Sequence, residues 1–484
     1  MRGGGRQGGR NWCRCDQCSY AAPWCGQRQN PKDNSDTRLI SGTWCIENIL
    51  LELDIPGEFF FDHTANLLYV YPNRTREDKF EDRSAKEFSG LRFSILDQLI
   101  RLTNAVRNVT ISNLGFRDTS ATYMSDWSAP SGGDWSIHRG GAVFIEDADN
   151  ILISSCEFSR LDGNAIFLSR RTTNISIVHN KFEWIGESAI ALWGETDGFN
   201  ATNQTFPMVT NIEGNVMREL GIYQKQSSGV FISKAAFTTI QFNLMFNIAR
   251  AAINFNDMVG GGDIVSRNLL FNTCRESGDH GPINSWDRQP FLTTLVDGTT
   301  PSFNPLRRRI SYNLIIANYG ASQAVDNDDG SSWYHIFHNV MYWSNGFKMD
   351  YGGHDSIFED NIVIGYPRKS MCVGFGSFYK GHGHVVRRNI CFASNTNEPI
   401  VQLETCYDNH DNHAILHDNQ YFTPNGNASC LCGYNTSPIP FDECKKRFGI
   451  ENRSTVHSTP KDAKIIVIMA KNILFPKIPT LATA

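Results

Sequence analysis

The sequence predicts an all-β chain built as a parallel β-helix, a solenoid of about ten stacked coils. Three observations point there. First, a phrase of the form I-x-x-x-N-φ-x-φ keeps returning, as in VTISNLGF, ISIVHNKF, TIQFNLMF, HIFHNVMY and VVRRNICF. Its Asn falls at 113, 180, 215, 243, 268, 313, 339, 361, 389 and 419, with Cys156 in its place once, and the uninterrupted spacing is 22 to 30 residues. Self-similarity at that period marks a solenoid. Second, a short strand pattern recurs between the Asn phrases: AVFIE (142–146), AIFLS (165–169), AIALW (189–193), GVFIS (229–233), AINFN (252–256), PINSW (282–286), AVDND (324–328) and GFKMD (346–350). Third, Gly and Asn punctuate the turns and no helical period intervenes, which favours β coils over leucine-rich or helical repeats.

Taken in order, residues 1–43 are Gly/Arg-rich and polar, a composition expected to be disordered. Residues 44–104, with WCIENILLELDIPGEFFFDHTANLLYVYPN, read as strand, turn, strand, turn and strand, a small β segment leading into the coils. The coils span 105–425, interrupted near 195–210 and 287–307 by insertions that follow the outward strand. The repeated Asn suits a left-handed bend, and stacked copies can hydrogen-bond as a ladder. Residues 426–484 comprise a Cys-bearing loop and a helix over KDAKIIVIMAKNILF, expected near one end as a cover for unpaired strand edges.

A net charge of −5 gives no reason to expect nucleic acid or an anionic membrane as partner. No apolar run approaches the roughly 20 residues that span a bilayer. The thirteen cysteines cluster at the two ends, Cys13, Cys15, Cys18, Cys25 and Cys45, then Cys406, Cys430, Cys432 and Cys444. Disulfides in a secreted monomer are the favoured reading, although residues 1–20 contain no signal-peptide core. A zinc knot over Cys13–Cys25 is the rival; its spacing is irregular and no His lies nearby. Sequons at Asn73, Asn108, Asn174, Asn200, Asn203, Asn427, Asn435 and Asn452 fit the extracellular reading.

Within the recurring strand the second and fourth residues are apolar and point inward, so the third and fifth point outward. The third column reads Phe144, Phe167, Ala191, Phe231, Asn254, Asn284, Asp326, Lys348. The fifth reads Glu146, Ser169, Trp193, Ser233, Asn256, Trp286, Asp328, Asp350. Asp328 is thus expected beside Asp350, and Asp326 beside Lys348. A slip of one residue would instead bury the carboxylates. Coils stack about 4.8 Å apart, and two carboxylates that close cannot both ionise cheaply, so one should hold its proton. Asp279, His280, Asp287, Arg288, Tyr351 and His354 fall in neighbouring loops as rim candidates, the histidines as proton-transfer partners. Trp193 and Trp286 offer apolar platforms, with Asn254, Asn256 and Asn284 as polar contacts. The bland alternative is a charge ladder, or a calcium site of Asp326, Asp328, Asp329 and Asp350.

Residues 105–425, with IPGEFFFD and LLYVYP ahead of them and NTCRESGDHGPINSWDR within, resemble the right-handed parallel β-helix proteins of the pectin-lyase-like superfamily. That resemblance implies a polysaccharide or glycan as partner. It leaves open a glycoside hydrolase, a polysaccharide lyase or uronan epimerase, and a non-catalytic glycan binder. For the hydrolase, Asp328 and Asp350 are the acid and nucleophile pair, since about 5 Å is the separation of a retaining enzyme, and no cofactor is required. The lyase would place a calcium ion on the Asp cluster; Lys348, next to Asp326, should keep its proton and so makes a poor base. Gly381-His382-Gly383 echoes a polygalacturonase motif, but its companion motifs are missing and no role is assigned to it.

Overall fold

The computed structural model describes residues 48–71 and 93–475, except 124, 126–136, 198–199, 279, 287–290, 296–300, 317–320, 322, 350–351, 366–370, 377–381, 396–397, 405, 407–413 and 434–435, with a few short strands before 48. The chain divides into two compact units, 1–92 and 93–484. In the first, the hairpin Phe59–Asp62 and Leu67–Val70 forms as the alternation suggests. Asp62 closes its turn by accepting from Thr64 N and Ala65 N. Ahead of it, Leu50–Glu52 is a single 3-10 turn rather than a strand.

The second unit is a parallel β-helix. Its most regular face is a sheet of 12 strands, from Gly115–Arg117 to Thr455–Ser458. The other strands also pair coil to coil, in the register read from the sequence. Phe144 pairs with Phe167, Phe167 with Ala191 and Ala191 with Phe231. Phe231 pairs with Asn254, Asn254 with Asn284, Asn284 with Asp326, and Asp326 with Lys348. The one-residue slip is therefore excluded. Val325, Phe347 and Met349 face the core. The strand also continues through Val373–Phe375, Val401–Leu403 and Ser429–Cys432, with Gly374 and Gln402 next after Lys348 in the outward column.

The asparagine ladder forms from Asn180 to Asn419. From Asn215 onward the side-chain oxygen accepts both from the backbone N–H and from the amide of the Asn one coil earlier, while Asn180 accepts from Cys156 N. Asn268, for example, accepts from Asn243 N and Nδ2 at 3.0 Å each, and donates to Ile240 O at 2.9 Å and Asn313 Oδ1 at 3.0 Å. Each buried amide thus finds partners on both sides. The left-handed bend, however, belongs to the residue before each Asn: His179, Phe242, Arg267, Tyr312, His338, Asp360, Arg388 and Asp418 all have φ between 54° and 58°. The Asn instead satisfies the backbone groups that the bend exposes. Asn113 aligns with Ser155, since Ser112 pairs with Ser154, and so stands one position ahead of the ladder. Stacked rings fill the interior beside it, Phe116 on Phe158 and Phe158 on Phe182 at 4.8 Å.

Two helices close the chain, and their roles divide. Phe441–Phe448 covers the open end of the coils, burying Phe441, Cys444 and Phe448. Gly449 ends it in the left-handed conformation, φ 65°, that glycine adopts freely. The helix expected at an end, Ala463–Leu474, lies instead along the flank. Ile466, Met469, Ala470, Ile473 and Leu474, at helical spacing, pack on Val340, Ile362, Phe392 and Phe422 from four successive coils. Disulfides join Cys372–Cys391, Cys406–Cys432 and Cys430–Cys444. The C-terminal cysteines pair as their clustering suggests, and Cys430–Cys444 pins the capping helix to the last coils.

Candidate functional site

The outward face of the recurring strand carries the site candidates, and it changes character along the stack. In the early coils it is covered. Ile137, Phe144, Phe167, Ala191, Trp193 and Phe231 form a second apolar cluster outside the coil. Arg139 lays its guanidinium over the Trp193 ring at 4.1 Å and donates to Ser169 Oγ and Trp193 O. Trp193 is therefore a packed residue and not an open platform. Trp286 is also largely covered, at 9% exposure. Asn254, Asn256 and Asn284 are buried as well, with Asn284 Nδ2 donating to Asn254 Oδ1 at 3.2 Å. Asn254 Nδ2 and both polar side-chain atoms of Asn256 are buried without a hydrogen-bond partner. Sequence alternation shows that they point outward; only the tertiary structure shows that something lies on top.

At the next two coils the column turns ionic. Lys348 Nζ stands 3.0 Å from Asp326 Oδ1 and 3.9 Å from Asp328 Oδ1. The exposures are graded. Asp326 is fully buried, Lys348 is 12% exposed and Asp328 24% exposed. Burial of a carboxylate is costly unless a cation pairs with it, and Lys348 supplies that cation. Asp326 thus holds Lys348 in place, and Asp328 is the carboxylate that reaches solvent. Asp328 opens a turn: its backbone N–H donates to Ser285 O at 2.7 Å and its carbonyl accepts from Ser331 Oγ at 2.6 Å.

The loop carrying His280 covers this centre. A side chain at Gly281 would come within 2.6 Å of Gln323 O and 2.8 Å of the Asp326 Cβ, so the loop crosses Asp326 closely only because residue 281 is glycine. His280 Nδ1 is hydrogen-bonded to Ser277 Oγ. The structure therefore brings together AVDND, GFKM and the HGPINSW phrase. Asp279, Asp287, Arg288, Asp350 and Tyr351 lie outside the described residues, as do the sequons at Asn73 and Asn435. Of the four carboxylates expected for calcium, Asp326, Asp328 and Asp329 are described. The Lys348 ammonium occupies the position between Asp326 and Asp328 that a cation bound by both would need. Asp329, partly buried, is the second residue of the turn that Asp328 opens.

His354 lies on the bend that follows the Lys348 strand, its backbone N–H donating to Ser332 Oγ. It is buried against Trp333, ring edge to face at 5.4 Å. Its Nδ1 lies 2.7 Å from Asp355 Oδ2, and His382 Nδ1 approaches the same oxygen at 2.8 Å. These contacts to two imidazoles outweigh partial burial and hold the Asp355 carboxyl below its ordinary range. His382 lies in the Gly381-His382-Gly383 motif, which by itself assigns it no role. A signal for it exists: His354 and His382 stand as far apart as Asn361 and Asn389 of the ladder. Behind them His384 is buried, its Nε2 donating to Gly353 O at 3.1 Å.

No protein-family model matches this chain, and no curated protein matches it. Among solved structures, it is similar to one described as a glycoside hydrolase, with 14% identity, TM-score 0.48, and coverage of 70% of this chain and 57% of that one. The chain thus spans little more than half of that protein. An alginate lyase shows 10% identity and TM-score 0.31, covering 70% and 69%. An exopolygalacturonase from Thermotoga maritima shows 8% identity and TM-score 0.31, covering 74% and 87%. At these identities the likeness concerns the fold.

Proposed function

We propose that this is a secreted carbohydrate-active protein, a glycoside hydrolase that cleaves a polysaccharide lying along the Asp326–Lys348–Asp328 face. The supporting observation is the graded carboxylate pair bridged by one lysine, on a face otherwise packed with apolar and amide side chains. In this reading Asp328 meets the substrate and Asp326 positions Lys348. The second carboxylate is Asp350, chosen because it follows Asp328 by 22 residues, the same interval as Asp326 to Lys348, which pair across coils. One member of the pair acts as acid and the other as nucleophile, as in retaining enzymes. Lys348 keeps its proton beside two carboxylates, which disfavours the lyase reading in which it is the base. The exposed sequons Asn108, Asn174, Asn203, Asn427 and Asn452, with the three disulfides among the described residues, support an extracellular setting.

The test is digestion of neutral and uronic-acid polysaccharides by the purified protein beside Asp328→Asn. New reducing ends with saturated termini, falling at least about 100-fold in the variant, support the hydrolase. Unsaturated uronate ends would replace it with a lyase. Binding without any product would leave a glycan-binding protein.

A further inference from the structure

We propose that His354, Asp355 and His382 form a site for a divalent transition metal of the zinc type, distinct from the Asp326–Lys348–Asp328 face. One coordinating atom from each of the three lies within 4.8 Å of the other two. Coil register builds the arrangement. Ile357 pairs with Val385, so His354 and His382 are equivalent positions on adjacent coils, and their rings stand 4.6 Å apart. Asp355 bridges them with a single oxygen. Two imidazoles and one carboxylate are a donor set for Zn²⁺ or Co²⁺, whereas Ca²⁺ and Mg²⁺ take oxygen.

Surrounding contacts hold the ligands in place, as metal sites require. The His354 backbone N–H donates to Ser332 Oγ at 3.1 Å, and its ring is packed against Trp333. His384 anchors the preceding Gly353 carbonyl. The outer side is open: the His382 side chain is 50% exposed and that of Asp355 29%. Three protein ligands with a solvent-facing side leave room for a water or a substrate group as the fourth, the pattern of an open zinc site. The proposal stands whether or not Asp328 proves catalytic.

The experiment uses the full chain without a polyhistidine tag. Zn²⁺ affinity is measured by competition with a chromophoric chelator, and Co²⁺ coordination by visible absorption, for wild type, His382→Ala, Asp355→Asn and the surface control His457→Ala. His382 is half exposed, so its removal should leave the melting temperature of the metal-free protein unchanged. One equivalent of metal is expected, with Co²⁺ absorption lacking thiolate charge transfer. Affinity should fall at least about 100-fold in His382→Ala and Asp355→Asn and stay unchanged in His457→Ala. Absence of stoichiometric binding overturns the proposal. So does metal that survives His382→Ala, or that shows thiolate charge transfer, which would assign it to the cysteines.

Discussion

Replacing Glu187 with Gln should stabilise the protein above neutral pH and leave it nearly unchanged at pH 4.5. Glu187 is 2% exposed. Thr122 Oγ1 donates to its Oε1 at 2.8 Å, while Oε2 is buried without a hydrogen-bond partner. Burial pushes the carboxyl from its ordinary 4.5 up to about 7, and hydrogen bonding from Thr122, Asn164 and the His138 backbone only partly offsets this. Because the folded value lies above the unfolded one, the native state holds the proton more tightly. The associated stability is full below pH 4.5, declines between 4.5 and 7, and is gone above. That shift corresponds to about 3 kcal/mol. For a cooperative unit of this size it amounts to about 4 °C in melting temperature. Gln removes the charge and keeps the shape. Denaturant titrations of both proteins at pH 4.5, 6 and 8.5 should show a stability difference growing from near zero to about 3 kcal/mol. A difference that is the same at all three pH values would refute the reasoning, because a packing effect does not titrate.

Two further outcomes follow from buried polar groups. Asn268→Ala removes one rung: it takes from the Asn243 N–H, the Asn243 amide and the Ile240 carbonyl one partner each, while Asn313 Oδ1 keeps its bond from the residue 268 N–H; at about 1–3 kcal/mol per orphaned group, the loss should reach about 2–4 kcal/mol by denaturant titration, and less than 1 would show that water repairs the ladder. His384 works at the acid limb: burial lowers its value from 6.5 to about 4, so the native state keeps it neutral, and the stability it contributes is full above pH 6.5 and lost as pH falls towards 4. Its ring signals in NMR should show no titration between pH 7 and 5, and a midpoint near 6.5 would contradict the buried, Gly353-bonded geometry.

The primary sequence determined the architecture, and the reason is redundancy. Each coil repeats the same inward residues, so one rule, period two with an Asn just after the bend, is stated in coil after coil and sets the register that pairs Asp326 with Lys348. The same arithmetic placed His382 one coil beyond His354, because both precede a ladder Asn by seven residues. Exposure was not legible in this way. Alternation says which side of a strand a residue occupies, but Trp193, Asn254 and Asn284 point outward and are buried all the same, Trp193 beneath Arg139. The Ala463–Leu474 helix shows the same limit: its apolar stripe announced a packing face without saying that four stacked coils of the flank, and not the open end, would receive it. Only the tertiary structure decides which outward residues meet solvent, because that depends on contacts between parts of the chain that share no period.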